Sequence, residues 1–129
     1  MAEAKPNQMS SESVARRCAA LCEEHKGENV LLYDVQGKSI LADHYLICTG
    51  TSEPHLRALR GYLDKDMAEQ GITLKKISGT PASHWIVLDF GSVIIHLFNQ
   101  AMRDYYRIED LWDDSQIIWR SRDAAPRHA

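Results

Sequence analysis

The sequence predicts an α/β (α+β) domain, a mixed sheet of about five strands flanked by helices. Three features predict it. Apolar residues at helical spacing alternate with short apolar runs bounded by turn residues, in the order helix, strand, strand, helix, strand, strand, strand, helix. The stretch from Trp85 to Phe98 reads as two strands joined at Gly91-Ser92, a two-residue hairpin signal. The 129 residues are 44% hydrophobic and 26% charged, enough for one domain with its own core, and no repeat or long linker divides them.

In chain order, residues 1–9 are polar and are expected to be mobile, with a single domain over 10–114. Ser10 or Ser11 can cap a helix that carries Val14, Cys18, Leu21, Cys22 and His25 at helical spacing, and Lys26-Gly27 is its expected stop. VLLYDV is a strand, Gln36-Gly37-Lys38 a turn, and a second extended segment runs through Ile40-Leu41 into DHYLICTG. The apolar run Tyr45–Cys48 predicts a central strand covered on both faces. Ser52 caps the next helix with Pro54 in its first turn, and Leu56, Leu59, Leu63 and Met67 form its buried face. ITLKKISG reads as an edge strand whose lysines discourage unwanted pairing. After the hairpin, Arg103–Trp112 is expected to be one helix with Tyr105, Ile108, Leu111 and Trp112 apolar, and 115–129 a polar tail.

Composition excludes several classes. Basic minus acidic residues is 15 − 18 = −3, which argues against general nucleic-acid binding. No run approaches the ~18 apolar residues of a membrane span. The first twelve residues hold two acidic residues, no arginine and no apolar segment, so neither a secretory nor a transit leader is expected and the protein is read as cytoplasmic. Three cysteines without CxxC spacing are read as free thiols.

No catalytic, metal or cofactor site is expected. Gly50-Thr51-Ser52 before a helix resembles the turn with which nucleotidyltransferases hold phosphate. Those enzymes also need paired carboxylates on a strand for Mg²⁺, and the one early DxD, Asp64-Lys65-Asp66, lies on a helix where the two point apart. Asp43 and Asp89 sit in apolar surroundings, but nothing in the sequence places them together. His44, His55, His84 and His96 lack metal-ligand spacing.

The hairpin carries the remaining signal. Its turn places Ile86, Leu88, Phe90, Val93, Ile95 and Leu97 on one face, all apolar. Trp85, Val87, Asp89, Ile94, His96 and Phe98 lie on the other. That mixed face is open to two readings, a second core face covered by terminal helices or a protein-binding surface built on aromatic anchors. The following segment would add Arg103, Tyr106 and Glu109 as polar contacts beside Trp85, Asp89, Ile94, His96 and Phe98.

The blocks DHYLICTGTSEPHLRALRGYL, HWIVLDFGSVIIHLF and RDYYRIEDLW closely resemble the ribosomal silencing factors, or Iojap-related family, over about residues 12–114. The matching positions are Asp43 and Tyr45; Trp85, Asp89, Gly91 and His96; and Arg103, Tyr106, Glu109, Leu111 and Trp112. The resemblance implies a nucleotidyltransferase-like core without catalytic carboxylates. It also implies a non-enzymatic repressor of translation, which binds ribosomal protein fourteen of the large subunit and sterically blocks subunit joining. On that reading Arg103, Arg107 and the Lys75-Lys76 pair would face nearby rRNA. The alternatives are a nucleotide-binding enzyme using Gly50–Ser52, and a homodimeric structural module in which the mixed face pairs with itself.

Overall fold

The computed structural model describes residues 10–123; the expected mobile segment 1–9 and the last residues of the expected tail, 124–129, lie outside the described residues. Helix α1 (Ser11–Glu24) leads into strands β1 (Glu28–Asp34) and β2 (His44–Thr49), then helix α2 (Glu53–Glu69). Strands β3 (Lys76–Thr80), β4 (Trp85–Asp89) and β5 (Val93–Phe98) follow, then helix α3 (Gln100–Tyr106), two single turns of 3₁₀ helix, and β6 (Ile117–Arg120). The strands form one sheet in the order β3-β4-β5-β2-β1-β6. Only the β2–β5 pairing is parallel, which makes the sheet mixed.

Strand β2 is buried at all six positions, as the run Tyr45–Cys48 predicts for a central strand. Helices α1 and α2 cover one sheet face. The expected stripe of α2, Leu56, Leu59, Leu63 and Met67, is buried against that face, each side chain contributing about 1.5–3 kcal/mol. Ser10 caps α1 and Ser52 caps α2 through their side-chain oxygens. At the end of α1 the residue with left-handed backbone is Lys26, not Gly27. Gly27 serves a different need: a Cβ there would lie 2.4 Å from Cys48 Sγ and 2.7 Å from the Cys22 carbonyl oxygen. Helix and strand meet too closely at this point for any side chain.

Three expectations are corrected. First, the sheet has six strands, because Ile117–Arg120 inside the expected tail pairs with β1. Trp119 packs towards α1 and donates from Nε1 to Glu23 Oε1 at 2.7 Å, and Val30 N–H donates to Ser121 Oγ at 2.9 Å. These contacts give a short apolar triplet in polar sequence enough to close the edge of β1. Second, the segment before β2 is a loop, with Ile40 and Leu41 exposed. Third, the expected helix 103–112 is broken. Asn99 caps α3 through Met102 N–H, and the helix ends where Arg107 turns left-handed (φ 48°). A 3₁₀ turn over Ile108–Leu111 follows. The break returns Ile108 and Trp112 to the sheet and leaves Tyr105 and Leu111 exposed.

Candidate interaction surface

The hairpin register is Trp85↔Phe98, Val87↔His96 and Asp89↔Ile94, as the turn predicts. Ile86, Leu88, Phe90, Val93, Ile95 and Leu97 are all buried beneath the helices. The mixed face therefore points away from α1 and α2. Part of it is a second core. Leu31, Tyr33, Val35, Ala42, Tyr45, Ile47 and Phe98 are buried there, with Met102, Ile108, Trp112 and Ile117 packed against them. The cover thins at β4, where Trp85 packs against this core but stays partly exposed, as does Val87.

Across that boundary runs a continuous row of rings. Tyr33 meets Trp112 at 5.1 Å between centroids, Trp112 meets Tyr45 at 4.5 Å, and Tyr45 meets His96 at 6.3 Å. His96 meets Trp85 at 5.9 Å, and Trp85 meets Tyr106 at 4.7 Å. The row begins in the buried core and emerges at the half-exposed Tyr106, with the exposed Tyr105 edge-on to it at 4.9 Å. Such offset and tilted pairs are favourable beyond the area they bury, so each ring fixes its neighbour. Beside Trp85 and Tyr106 lies an open depression of about 400 Å³, lined also by Ser78, Gly79, Ser83, Val87 and Met102. Its floor requires Gly79. That residue has φ +80°, and a Cβ there would lie 2.0 Å from the Trp85 carbonyl oxygen.

The predicted contact residues divide into two groups. Trp85, Asp89, Ile94 and His96 are half-buried on the open part of the face, and Tyr106 stands at its end. Phe98 and Arg103 do not reach the surface. Phe98 is fully buried, with the Arg103 guanidinium 5.8 Å from its ring centroid. Arg103 is itself 2% exposed. It donates from Nε to Glu109 Oε1 at 2.8 Å, and from Nη1 to the Asn29 carbonyl at 2.7 Å and to Thr49 Oγ1 at 2.8 Å. A charge buried this deeply is stable only with such partners. Arg103 thus ties α3 to β1, β2 and the 3₁₀ turn, and Glu109 completes the tie. The expectation that Arg103 faces rRNA is corrected on the same ground, whereas Lys75 and Lys76 are exposed.

Asp89 also has a local task. Its Oδ1 accepts the Gly91 N–H at 2.7 Å and shapes the hairpin turn. Val87, Met102 and Gly79 belong to the depression but were not singled out from sequence. Val87 lay on the predicted mixed face, and only the depth of the fold shows that it stays uncovered. His96 is held neutral. Burial pushes its pKa down to about 4, and its Nδ1 accepts the Trp85 Nε1–H at 3.1 Å.

The other candidate chemistry is taken up by the fold. In the Gly50–Ser52 turn, Gly50 N–H donates to the Phe98 carbonyl, Thr51 N–H to His55 Nδ1, and Ser52 Oγ accepts the His55 N–H. The donors a phosphate would use at Gly50 and Thr51 are already bonded. Asp66 pairs in bidentate fashion with Arg17. Among the described residues no group of three or more His, Cys, Asp or Glu could hold a metal ion. Burial pushes the Cys18 thiol up to about 12, and Cys22 is raised by its hydrogen bond with Cys48 and by burial, so both are poor nucleophiles.

These features define a small α/β domain that presents an ordered aromatic surface on the sheet face opposite α1 and α2. The family described as ribosomal silencing factor during starvation matches residues 8–129, and the chain belongs to that family. It is 34% identical to the ribosomal silencing factor of Bacillus subtilis over 109 residues, 84% of this chain and 92% of that protein. It is 31% identical over 96 residues to the mouse protein named mitochondrial assembly of ribosomal large subunit protein 1, covering 72% of this chain and 42% of that protein. A crystal structure of a Bacillus halodurans protein superimposes with a TM-score of 0.70 at 33% identity, over 78% of this chain and 94% of that one.

Proposed function

We propose that this protein represses translation by binding the large ribosomal subunit through ribosomal protein fourteen, where it sterically blocks joining of the small subunit. The observation that carries the reading is the row of rings emerging from the core beside an uncovered depression. Aromatic anchors in a semi-enclosed patch are the usual energetic centre of a protein–protein contact. Family membership and the large-subunit name of the mouse relative support the ribosome's large subunit as the target.

The mechanism needs no chemical step. Two bodies cannot occupy the same surface, so a factor seated where the small subunit docks prevents joining for as long as it stays bound. Occupancy then depends on affinity and concentration alone. A net charge of −3 suits recognition of a protein embedded in RNA better than recognition of RNA itself. Exposed Lys75 and Lys76 on the β3 side can meet nearby phosphates. We read the protein as acting in the cytoplasm; no helix among the described residues is long and apolar enough to cross a membrane.

Co-sedimentation with purified large subunits tests the reading. The natural protein is expected to pellet with them, and the Trp85→Ala, Tyr106→Ala double variant to remain largely in the supernatant while keeping its circular dichroism spectrum. Equal pelleting of both would exclude the aromatic surface as the contact.

A further inference from the structure

The open face carries one polar group whose chemistry is set by its neighbours. His96 projects from β5 between Tyr45 and Trp85, in contact with both rings. Trp85 Nε1–H donates to His96 Nδ1 at 3.1 Å. An indole nitrogen can only donate, so Nδ1 is the unprotonated, accepting nitrogen. A neutral imidazole has a single N–H, which must then be on Nε2. His96 Nε2 is not among the buried polar atoms that lack a partner, and it bonds to no other described residue, so it reaches solvent.

We propose that His96 Nε2–H is a specificity-determining donor that bonds an oxygen acceptor, a carbonyl or carboxylate, on the docked protein partner, and that Trp85 positions it by holding the tautomer. The inference rests on the reading that this face docks on the large subunit. Its selectivity follows from counting lone pairs. The imidazole has one, and Trp85 already occupies it. At His96 itself the face offers a donor and no acceptor, so a lysine or arginine placed over the ring finds nothing to bond there; the acceptor on this face is the Asp89 carboxylate, two strand positions from Val87. Val87, cross-strand from His96, and Ile94 on the same face surround the donor with apolar surface. A partner that covers them without supplying an acceptor leaves a desolvated N–H unpaired. Burial also keeps the ring from becoming a cation near neutral pH, so the donor is the same neutral N–H under working conditions.

Two measurements test this. Long-range ¹H–¹⁵N spectra of the free protein at pH 7 should show the protonated nitrogen at Nε2, and Trp85→Phe should give a tautomer mixture. Protonation at Nδ1 in the natural protein would overturn the proposal. Binding to purified large subunits is then compared for three variants of His96. Gln extends an amide N–H to the Nε2 position and should bind within about threefold of the natural protein. Leu, and Asn, whose amide reaches only as far as Nδ1, should each lose about tenfold or more. Val87→Glu serves as a control for the docking face. If Val87→Glu abolishes binding but Leu at 96 binds normally, the donor role fails and the docking surface survives. If Val87→Glu also binds normally, the surface itself is wrong and the donor role falls with it.

Discussion

Replacing Arg103 by alanine separates a structural clamp from a surface contact. The guanidinium is 2% exposed and bonds Glu109, the Asn29 carbonyl and Thr49 Oγ1. Its removal leaves a carboxylate that is 16% exposed without its partner, and a carbonyl and a hydroxyl without their donor. Breaking a buried pair from one side costs about 3–5 kcal/mol, because the remaining charge stays desolvated. For a domain whose whole stability is about 5–15 kcal/mol, that is a large fraction. Urea unfolding should show a midpoint lowered by about 1.5–3 M, taking a slope of roughly 1.5–2 kcal/mol per M. Glu109→Gln keeps an acceptor oxygen and should lose less. Arg103→Ala combined with Glu109→Gln should cost less than the sum of the two, since the second change removes the stranded charge. A loss under about 1 kcal/mol for Arg103→Ala, together with a clear loss of large-subunit binding, would show that Arg103 acts at the surface and that the clamp is misassigned.

Acid sensitivity should follow from His96. Its folded pKa is about 4, below the ordinary 6.5, so the unfolded chain binds the proton more readily between those values. Stability is thus full above pH 6.5 and falls as pH drops towards 4, by about 3 kcal/mol from this group. The natural protein should lose that increment relative to His96→Gln in urea titrations at pH 7 and pH 4; parallel profiles would contradict the assignment. Truncation after Gln116 removes β6 and the Trp119–Glu23 bond, uncovering the edge of β1. The shortened protein should melt several degrees lower and aggregate more readily, measured by calorimetry and light scattering; an unchanged melt would return the segment to the status of a tail. Gly79→Ala should cost about 2 kcal/mol or more and speed hydrogen exchange in β3, because the new Cβ meets the Trp85 carbonyl from a backbone conformation suited to glycine. Unchanged exchange there would refute the close approach.

Where one local rule governed the outcome, the residues were legible in advance. The turn at Gly91-Ser92 determines the hairpin register, and period two then assigns every side chain from Trp85 to Phe98 to a face. The stripe of α2 and the caps at Ser10 and Ser52 are likewise local. Long-range partners were not legible. Arg103 looks like a surface charge until Asn29, Thr49 and Glu109 converge on it from three other segments. Ile117–Arg120 is too short to declare a strand, and β1 supplies the edge that makes it one. The mixed face of the hairpin is part second core and part uncovered surface. Phe98 lies in a second core, while Trp85, Val87, Ile94 and His96 stay half open because the 3₁₀ turn and Trp112 cover the sheet only as far as Tyr45.

Subunit joining followed by light scattering tests the central claim most directly. Purified small and large subunits are mixed after the large subunits have been incubated with a molar excess of this protein. The account predicts that the rise in scattering from joined ribosomes is strongly suppressed by the natural protein, and restored when the Trp85→Ala, Tyr106→Ala variant replaces it. Unimpeded joining with large subunits shown to be saturated by the natural protein would contradict the steric mechanism.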